Sequence, residues 1–183
     1  MNILRCKVAL IGDPRVGKTA IVNQLIKKSF NNTYQTTLGI DYNQFETKIE
    51  RSNYTVQFHI MDFTGFSIYR EMIGQCLSDV NYVLYVYDAT NLESFQNIQI
   101  WKMSINEMPG ARKREEYLIG NKTEMPEKIA ADQGSINNMA LKLKLKQFNV
   151  SARTNSGVKE LFEDIAKDFY DKYFSFTQRV KGL

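Results

Sequence analysis

The sequence predicts an α/β fold built on a largely parallel sheet, and three observations carry that expectation. Short apolar runs alternate with stretches whose apolar residues recur at helical spacing, the pattern of repeated βαβ units. Gly12-Asp13-Pro14-Arg15-Val16-Gly17-Lys18-Thr19 fits G-x-x-x-x-G-K-[ST], with an apolar run before it and a helical stripe after it. The remaining polar motifs fall where predicted strands end, which is where open α/β sheets bind ligands.

The 183 residues suffice for one domain with a full core. A hydrophobic content of 43%, a charged content of 24% and a net charge of +4 are ordinary for a soluble globular chain. Lys142, Lys144 and Lys146 alternate with leucines, and Arg112-Lys113-Arg114 is a short basic cluster. Each reads as a solvated face or loop, so no nucleic-acid partner is expected. Cys6 and Cys76 make neither a disulfide framework nor a metal-ligand spacing, which points to a reducing compartment. No apolar run is long enough to span a bilayer, and Arg5 and Lys7 interrupt any signal-peptide reading of the first residues. The chain closes on Arg179-Val180-Lys181-Gly182-Leu183 without a cysteine, so no prenyl anchor is expected.

Taken in order, Val8-Ala9-Leu10-Ile11 is the first strand, and Ile21, Val22, Leu25 and Ile26 stripe a helix running to about Ser29. Asn31 to Asp41 is polar and aperiodic, a loop placed for function. Strands near Tyr42–Glu50 and Tyr54–Met61 follow, joined by a tight turn at Ser52-Asn53. Val56, Phe58 and Ile60 alternate on one face of the second, and His59 lies on the other as a packed or surface histidine. Tyr82 to Tyr87 is continuously apolar, as a strand covered on both faces must be. Thr90-x-x-Glu93 predicts a capping box opening a helix whose face runs Phe95, Ile98, Trp101 or the stem of Lys102, Ile105 and Met108, ending before Pro109-Gly110. Trp101 reads as packing rather than as a substrate platform. Tyr117-Leu118-Ile119 is a short buried strand, Ile129–Lys144 a helix and Phe148-Asn149-Val150 a last strand. Val158, Leu161, Phe162, Ile165 and Phe169 stripe the final helix.

The chemistry begins at Gly12–Thr19. A loop of little bulk lets several backbone N–H groups converge on one oxyanion, and the following helix adds its positive N-terminal end. Lys18 can reach the outer phosphates of a nucleoside triphosphate, and the Thr19 hydroxyl can ligate the Mg2+ that travels with it. Asp62-Phe63-Thr64-Gly65 has the form D-x-x-G. Its carboxylate can hold the metal directly or through water, and its glycine N–H can approach a terminal phosphate unobstructed. Asn121-Lys122-Thr123-Glu124 and Ser151-Ala152-Arg153 each follow a later strand.

This ordered set, with Thr37-Leu38-Gly39 between the first two motifs, resembles the small GTPases of the Ras superfamily over nearly the whole chain. Tyr34 to Asp41 and Thr90-Asn91-Leu92-Glu93-Ser94-Phe95 are similar to their Rab branch. The resemblance implies a three-layer Ras-like G domain over residues 1–174, with a six-stranded sheet between helices, GTP or GDP with Mg2+ as ligands, and two switch loops. It implies Thr19 and Thr37 as Mg2+ ligands, with Asp62 behind the metal. Gly65 would sense the γ-phosphate. Gly12 to Ala20 would hold the phosphates, Asn121, Lys122 and Glu124 the base, and Ser151, Ala152 and Arg153 the base edge, with the Ala152 N–H on the guanine carbonyl. A finer resemblance, to Rab-like GTPase subunits of the intraflagellar transport B complex, rests on Leu4 to Ala9, Gly12-Asp13-Pro14, Gly120-Asn121-Lys122-Thr123 and the aromatic, unlipidated end. It implies a ciliary protein partnered by a small β-sandwich subunit and coiled-coil transport subunits.

Three departures bear on mechanism. Phe66 stands where the family places the glutamine that orients the attacking water, so hydrolysis slower than a Ras protein's is expected, unless another residue positions that water. Glu124 replaces an aspartate, keeping the carboxylate on a stem one methylene longer. Pro14 brings bulk and removes an N–H at a crowded loop position. Residues 175–183 read as an extension: Phe169, Tyr173, Phe176 and Val180 share helical spacing, Phe169 packs on the domain's own sheet, and the tail beyond Phe174 suits a partner groove. A slow switch and a structural subunit that never cycles are both open. A P-loop kinase or ATPase is opposed by the Asn121–Glu124 and Ser151–Arg153 segments.

Overall fold

The computed structural model describes residues 2–106 and 114–181, with side chains as far as 178. The strands are β1 (Asn2–Ile11), β2 (Ile40–Lys48), β3 (Tyr54–Phe63), β4 (Tyr82–Asp88), β5 (Glu115–Asn121) and β6 (Lys146–Asn149). The helices are α1 (Lys18–Lys27), α2 (Arg70–Cys76), α3 (Leu92–Asn106), α4 (Gln133–Leu143) and α5 (Val158–Lys181). One six-stranded sheet runs β2-β3-β1-β4-β5-β6. Its β2–β3 pair is antiparallel and every other pair parallel, as the alternating pattern predicts.

Two apolar layers sandwich this sheet because strand side chains alternate between faces. Cys6, Val8 and Leu10 of β1 pack with Leu84 and Val86 against Ile21 and Leu25 of α1 and Phe162 and Ile165 of α5. Ala9 and Ile11 pack with Val83, Tyr85 and Tyr87 against Ile73, Phe95, Trp101 and Met139 of α2, α3 and α4. β4 therefore has no polar face, and every one of its residues is buried. Burying a side chain such as Phe162 contributes about 1.5–3 kcal/mol.

α5 is also pinned by polar groups. The Tyr82 hydroxyl donates to Asp168 at 2.6 Å and the Tyr117 hydroxyl to Asp164 at 3.0 Å. Lys172 bridges Asp168 and Glu115 at 2.6 and 2.8 Å. Partial burial would raise the Asp168 carboxyl, but hydrogen bonds from Lys172 and Tyr82 outweigh it and hold the group below its usual range.

Several local expectations shift. The β2–β3 turn is made by Arg51, which adopts φ 57°, one residue before Ser52-Asn53. Asn91, not Thr90, caps α3: its Oδ1 accepts from Glu93 N at 3.0 Å and Ser94 N at 3.3 Å. Thr90 turns back instead, its N–H and hydroxyl both donating to Asp88 Oδ1. α4 starts at Gln133 because Asp132 caps it by accepting from Ser135 N at 2.9 Å, so Ile129 lies outside that helix. α5 continues without a break past Phe174 to Lys181. Met108, Pro109-Gly110, Arg112 and Lys113 lie outside the described residues, as does the side chain of Val180. His59 is half-buried, its Nε2 3.1 Å from Gln57 Oε1. Among the described residues, no helix is long and apolar enough to cross a membrane.

Candidate functional site

The loop after β1 turns by three residues of positive φ: Gly12 at 146°, Arg15 at 65° and Gly17 at 98°. Gly12 has no substitute, since a Cβ there would stand 2.1 Å from Val86 O. Gly17 starts α1 with no side chain to accept from the helix's first N–H groups, and no acid lies in its first turn. Such a helix start suits an anion. Lys18 is buried, and its Nζ donates to the carbonyls of Gly12 and Asp13, each at 2.8 Å. Burial lowers the Lys18 ammonium to about 8, against the opposing pull of Asp62 and Asp13.

Thr19, Thr37 and Asp62, from α1, the loop before β2 and β3, meet at one point. Thr19 Oγ1 donates to Asp62 Oδ2 at 2.5 Å and lies 3.0 Å from Thr37 Oγ1. Burial raises the Asp62 carboxyl to about 6, against the Thr19 hydrogen bond and Lys18. Asp62 Oδ1 is buried without a hydrogen-bond partner among the described residues. An anion at Lys18 and a divalent cation at Asp62 would favour the charged forms that burial disfavours. Hydroxyl and carboxylate oxygens are also the donors that Mg2+ takes. No group of three His, Cys, Asp or Glu gathers among the described residues, so a metal here needs these hydroxyls and its ligand's own oxygens. The residues present fit Mg2+ arriving with phosphate.

The two loops beside this point are joined by one backbone bond, Thr64 N–H to Gly39 O at 2.9 Å. A Cβ on Gly65 would stand 2.2 Å from Pro14 N and 2.4 Å from Asp13 C, so only glycine lets this segment lie on the phosphate loop. Phe66 follows, 42% exposed and not in the cavity wall.

On the other side Asn121 is the hub. Its Nδ2 donates to Val16 O at 2.9 Å, and its Oδ1 accepts from Ala152 N at 3.0 Å. The Ala152 amide that the resemblance assigns to a base carbonyl is thus already bonded inside the protein, because Asn121 presents its acceptor directly to that loop. Ser151 Oγ donates to Glu124 Oε2 at 2.7 Å, tethering the longer carboxylate by one oxygen. Lys122 Nζ donates to Arg15 O at 2.9 Å and pairs with Asp88 at 2.5 Å.

Between these sides lies a cavity of about 540 Å³, a size suited to a small organic ligand. Its wall includes Pro14, Arg15, Gly17 to Ala20, Thr37, Gly65, Asn121, Lys122, Glu124, Ala152 and Arg153. Gly12, Asp13, Val16, Asp62 and Ser151 are not among the residues of that wall. The Val16 side chain is core, and the Asp13 carboxylate faces α3. Phe30 and Met125 also line the cavity, and sequence reasoning missed both. The signal for Phe30 was a single aromatic between Ser29 and Asn31 just beyond α1. Arg15 stacks on Tyr34, 5.0 Å from the ring centre, closing the loop of Asn31 to Gly39 over the phosphate loop.

The Ras family sequence profile matches residues 7–171. A Ras-related protein Rab-13 from Bos taurus is 33% identical over 176 residues, covering 96% of this chain and 84% of the relative. The Rab-13 of Canis lupus familiaris is 33% identical over 162 residues, 88% of this chain and 78% of its own. Sheet order, loop, cavity and these matches agree: the chain belongs to the Ras family, as a Rab-like member of a group of small proteins that bind GTP or GDP with Mg2+.

Proposed function

We propose that this Rab-like protein is a GTP-binding adaptor whose own hydrolysis is very slow. The observation that carries the reading is the convergence of Thr19, Thr37 and Asp62 beside a buried Lys18 at the edge of the cavity. In this reading the loop amides and Lys18 hold the phosphates. Thr19, Thr37 and Asp62 would hold Mg2+, and the Gly65 N–H would meet the terminal phosphate. Bound Mg2+ would neutralise charge on the phosphate oxygens. Asn121, Lys122, Glu124 and the Ser151–Arg153 loop take the base. Glu124 keeps one oxygen clear of Ser151 for a guanine N–H, which supports GTP as the favoured ligand despite the longer stem.

Slow hydrolysis follows from Phe66, whose ring neither donates nor accepts a hydrogen bond, and from Pro14 in the cavity wall. A Ras protein with its glutamine turns over at roughly 10⁻⁴–10⁻³ per second unaided, and a lower single-turnover rate is expected here. Denaturing the purified protein and identifying the released nucleotide tests the ligand. Calorimetric competition tests the base: equal displacement by ATP and GTP would remove guanine selection.

The finer reading is a ciliary intraflagellar transport subunit, supported by the Leu4–Ala9, Gly12-Asp13-Pro14 and Gly120–Thr123 matches and by Tyr173 and Phe176 on the exposed side of α5. Its partners would be a small β-sandwich subunit and coiled-coil subunits of the transport train. Affinity capture from ciliated cells that brings down no such subunits would remove it. A conventional cycling Rab switch is the second reading, favoured by the Thr64–Gly39 bond that ties the two sensing loops together.

A further inference from the structure

An aspartate inside a phosphate-binding loop is an electrostatic liability, and the fold deals with Asp13 in a specific way. Both carboxylate oxygens are turned to α3. Asp13 Oδ1 accepts from Trp101 Nε1 at 2.7 Å, and Oδ2 accepts from Asn97 Nδ2 at 2.7 Å. Trp101 is fully buried, and its ring lies under the Arg70 guanidinium of α2 at 4.7 Å, which keeps the indole N–H aimed. Meanwhile the Asp13 carbonyl, on the opposite side of the same residue, accepts from Lys18 Nζ at 2.8 Å. The backbone between these two faces is packed against Gly65 too closely to admit a Cβ.

We propose that Asn97 and Trp101 are positioning residues for the nucleotide: they hold the Asp13 charge out of the phosphate site and leave Lys18 free to serve it. The inference rests on the reading of the cavity as a nucleoside-phosphate site. Two neutral N–H donors satisfy a carboxylate without drawing in a cation. With both donors removed, two cations stand near the carboxylate: Lys18, whose Nζ already bonds the Asp13 carbonyl, and Arg70, which lies over the Trp101 ring. A carboxylate turned towards Lys18 would occupy the ammonium that the phosphates need and would repel the phosphates themselves.

The test is calorimetric titration of the full chain, stripped of nucleotide, with GTP–Mg2+ and GDP–Mg2+. Wild-type binding establishes the site itself, so failure there counts against the nucleotide reading and not against the role of α3. Asn97→Ala, which opens no core cavity, is expected to weaken binding about threefold, and Asn97→Ala with Trp101→Phe about tenfold. Adding Asp13→Asn to the double variant should recover most of the affinity, since the charge that interferes is then gone. Unchanged affinity in the double variant would overturn the proposal. So would a loss that Asp13→Asn fails to relieve, because it would mean that α3 acts through packing alone. Thermal unfolding of each variant without nucleotide separates a folding defect from the binding effect: a midpoint that falls in step with affinity and returns with neither would count against it.

Discussion

The two sides of the cavity are built differently. On the base side, residues far apart in sequence are bonded to one another: Asn121 joins the phosphate loop to Ala152, Thr123 joins Val150, and Ser151 joins Glu124. On the side of Thr37 and Gly65, the Asn31–Gly39 segment is almost wholly exposed, and Ile73 alone is buried in α2. The Asn31–Gly39 segment touches the rest through the Thr37–Thr19 contact and the Arg15–Tyr34 stack, while the Thr64–Gly39 bond ties it to the second loop, whose Gly65 lies on the phosphate loop. The base side is held by the protein's own bonds. The Thr37 side has little internal energy to oppose a ligand that orders it, which is the property a reporter of the terminal phosphate requires.

The largest effect expected is on the base side. Asn121→Ala removes two buried hydrogen bonds, so it should cost about 2–3 kcal/mol of unfolding free energy and weaken nucleotide binding by roughly two orders of magnitude. Urea unfolding and calorimetry measure the two losses; retention of both would break the contrast. Thr37→Ala should leave the urea midpoint within about 0.5 kcal/mol of wild type. It should abolish most of the slowing of nucleotide release by Mg2+, roughly tenfold, followed by stopped-flow chase with and without the cation. Phe66→Gln should raise single-turnover hydrolysis towards the roughly 10⁻⁴–10⁻³ per second of a glutamine-bearing Ras, with no shift in unfolding. An unchanged rate would assign the slow step to Pro14.

The smallest effect lies far from the cavity, on α5. The Asp168 carboxyl is held below its unfolded value, so its stabilisation is present above the ordinary carboxylate range and fades as pH falls through the lowered value. Asp168→Asn should therefore flatten the loss of stability between about pH 5 and pH 3, while its nucleotide affinity at pH 7 stays at the wild-type level. Chemical unfolding at a series of pH values checks this.

Much of the architecture was legible because it is written in local periodicity. The unbroken apolar run Tyr82–Tyr87 implied cover on both faces, and every residue of β4 is buried. Strand ends located the phosphate loop and the later motifs, since each depends on a few neighbouring residues. Bonds that join distant residues were not legible. Nothing near Asp13 in sequence reveals that its donors lie 84 and 88 positions away, on Asn97 and Trp101. The competition between Thr90 and Asn91 for the cap of α3 was decided by Asp88, which engages Thr90 from the strand before it. Phe30 was missed because one aromatic in a polar stretch carries no period, and its place in the wall is set by where the chain turns after α1.

Trp101 is the chain's single tryptophan, and it sits between the phosphate loop and α2 with its indole on a carboxylate and its ring under a guanidinium. Indole emission responds to both neighbours, so the molecule carries its own optical gauge of any movement between those segments. Loading and unloading can be timed in the unmodified chain, free of dyes whose bulk would itself disturb so tight a seam.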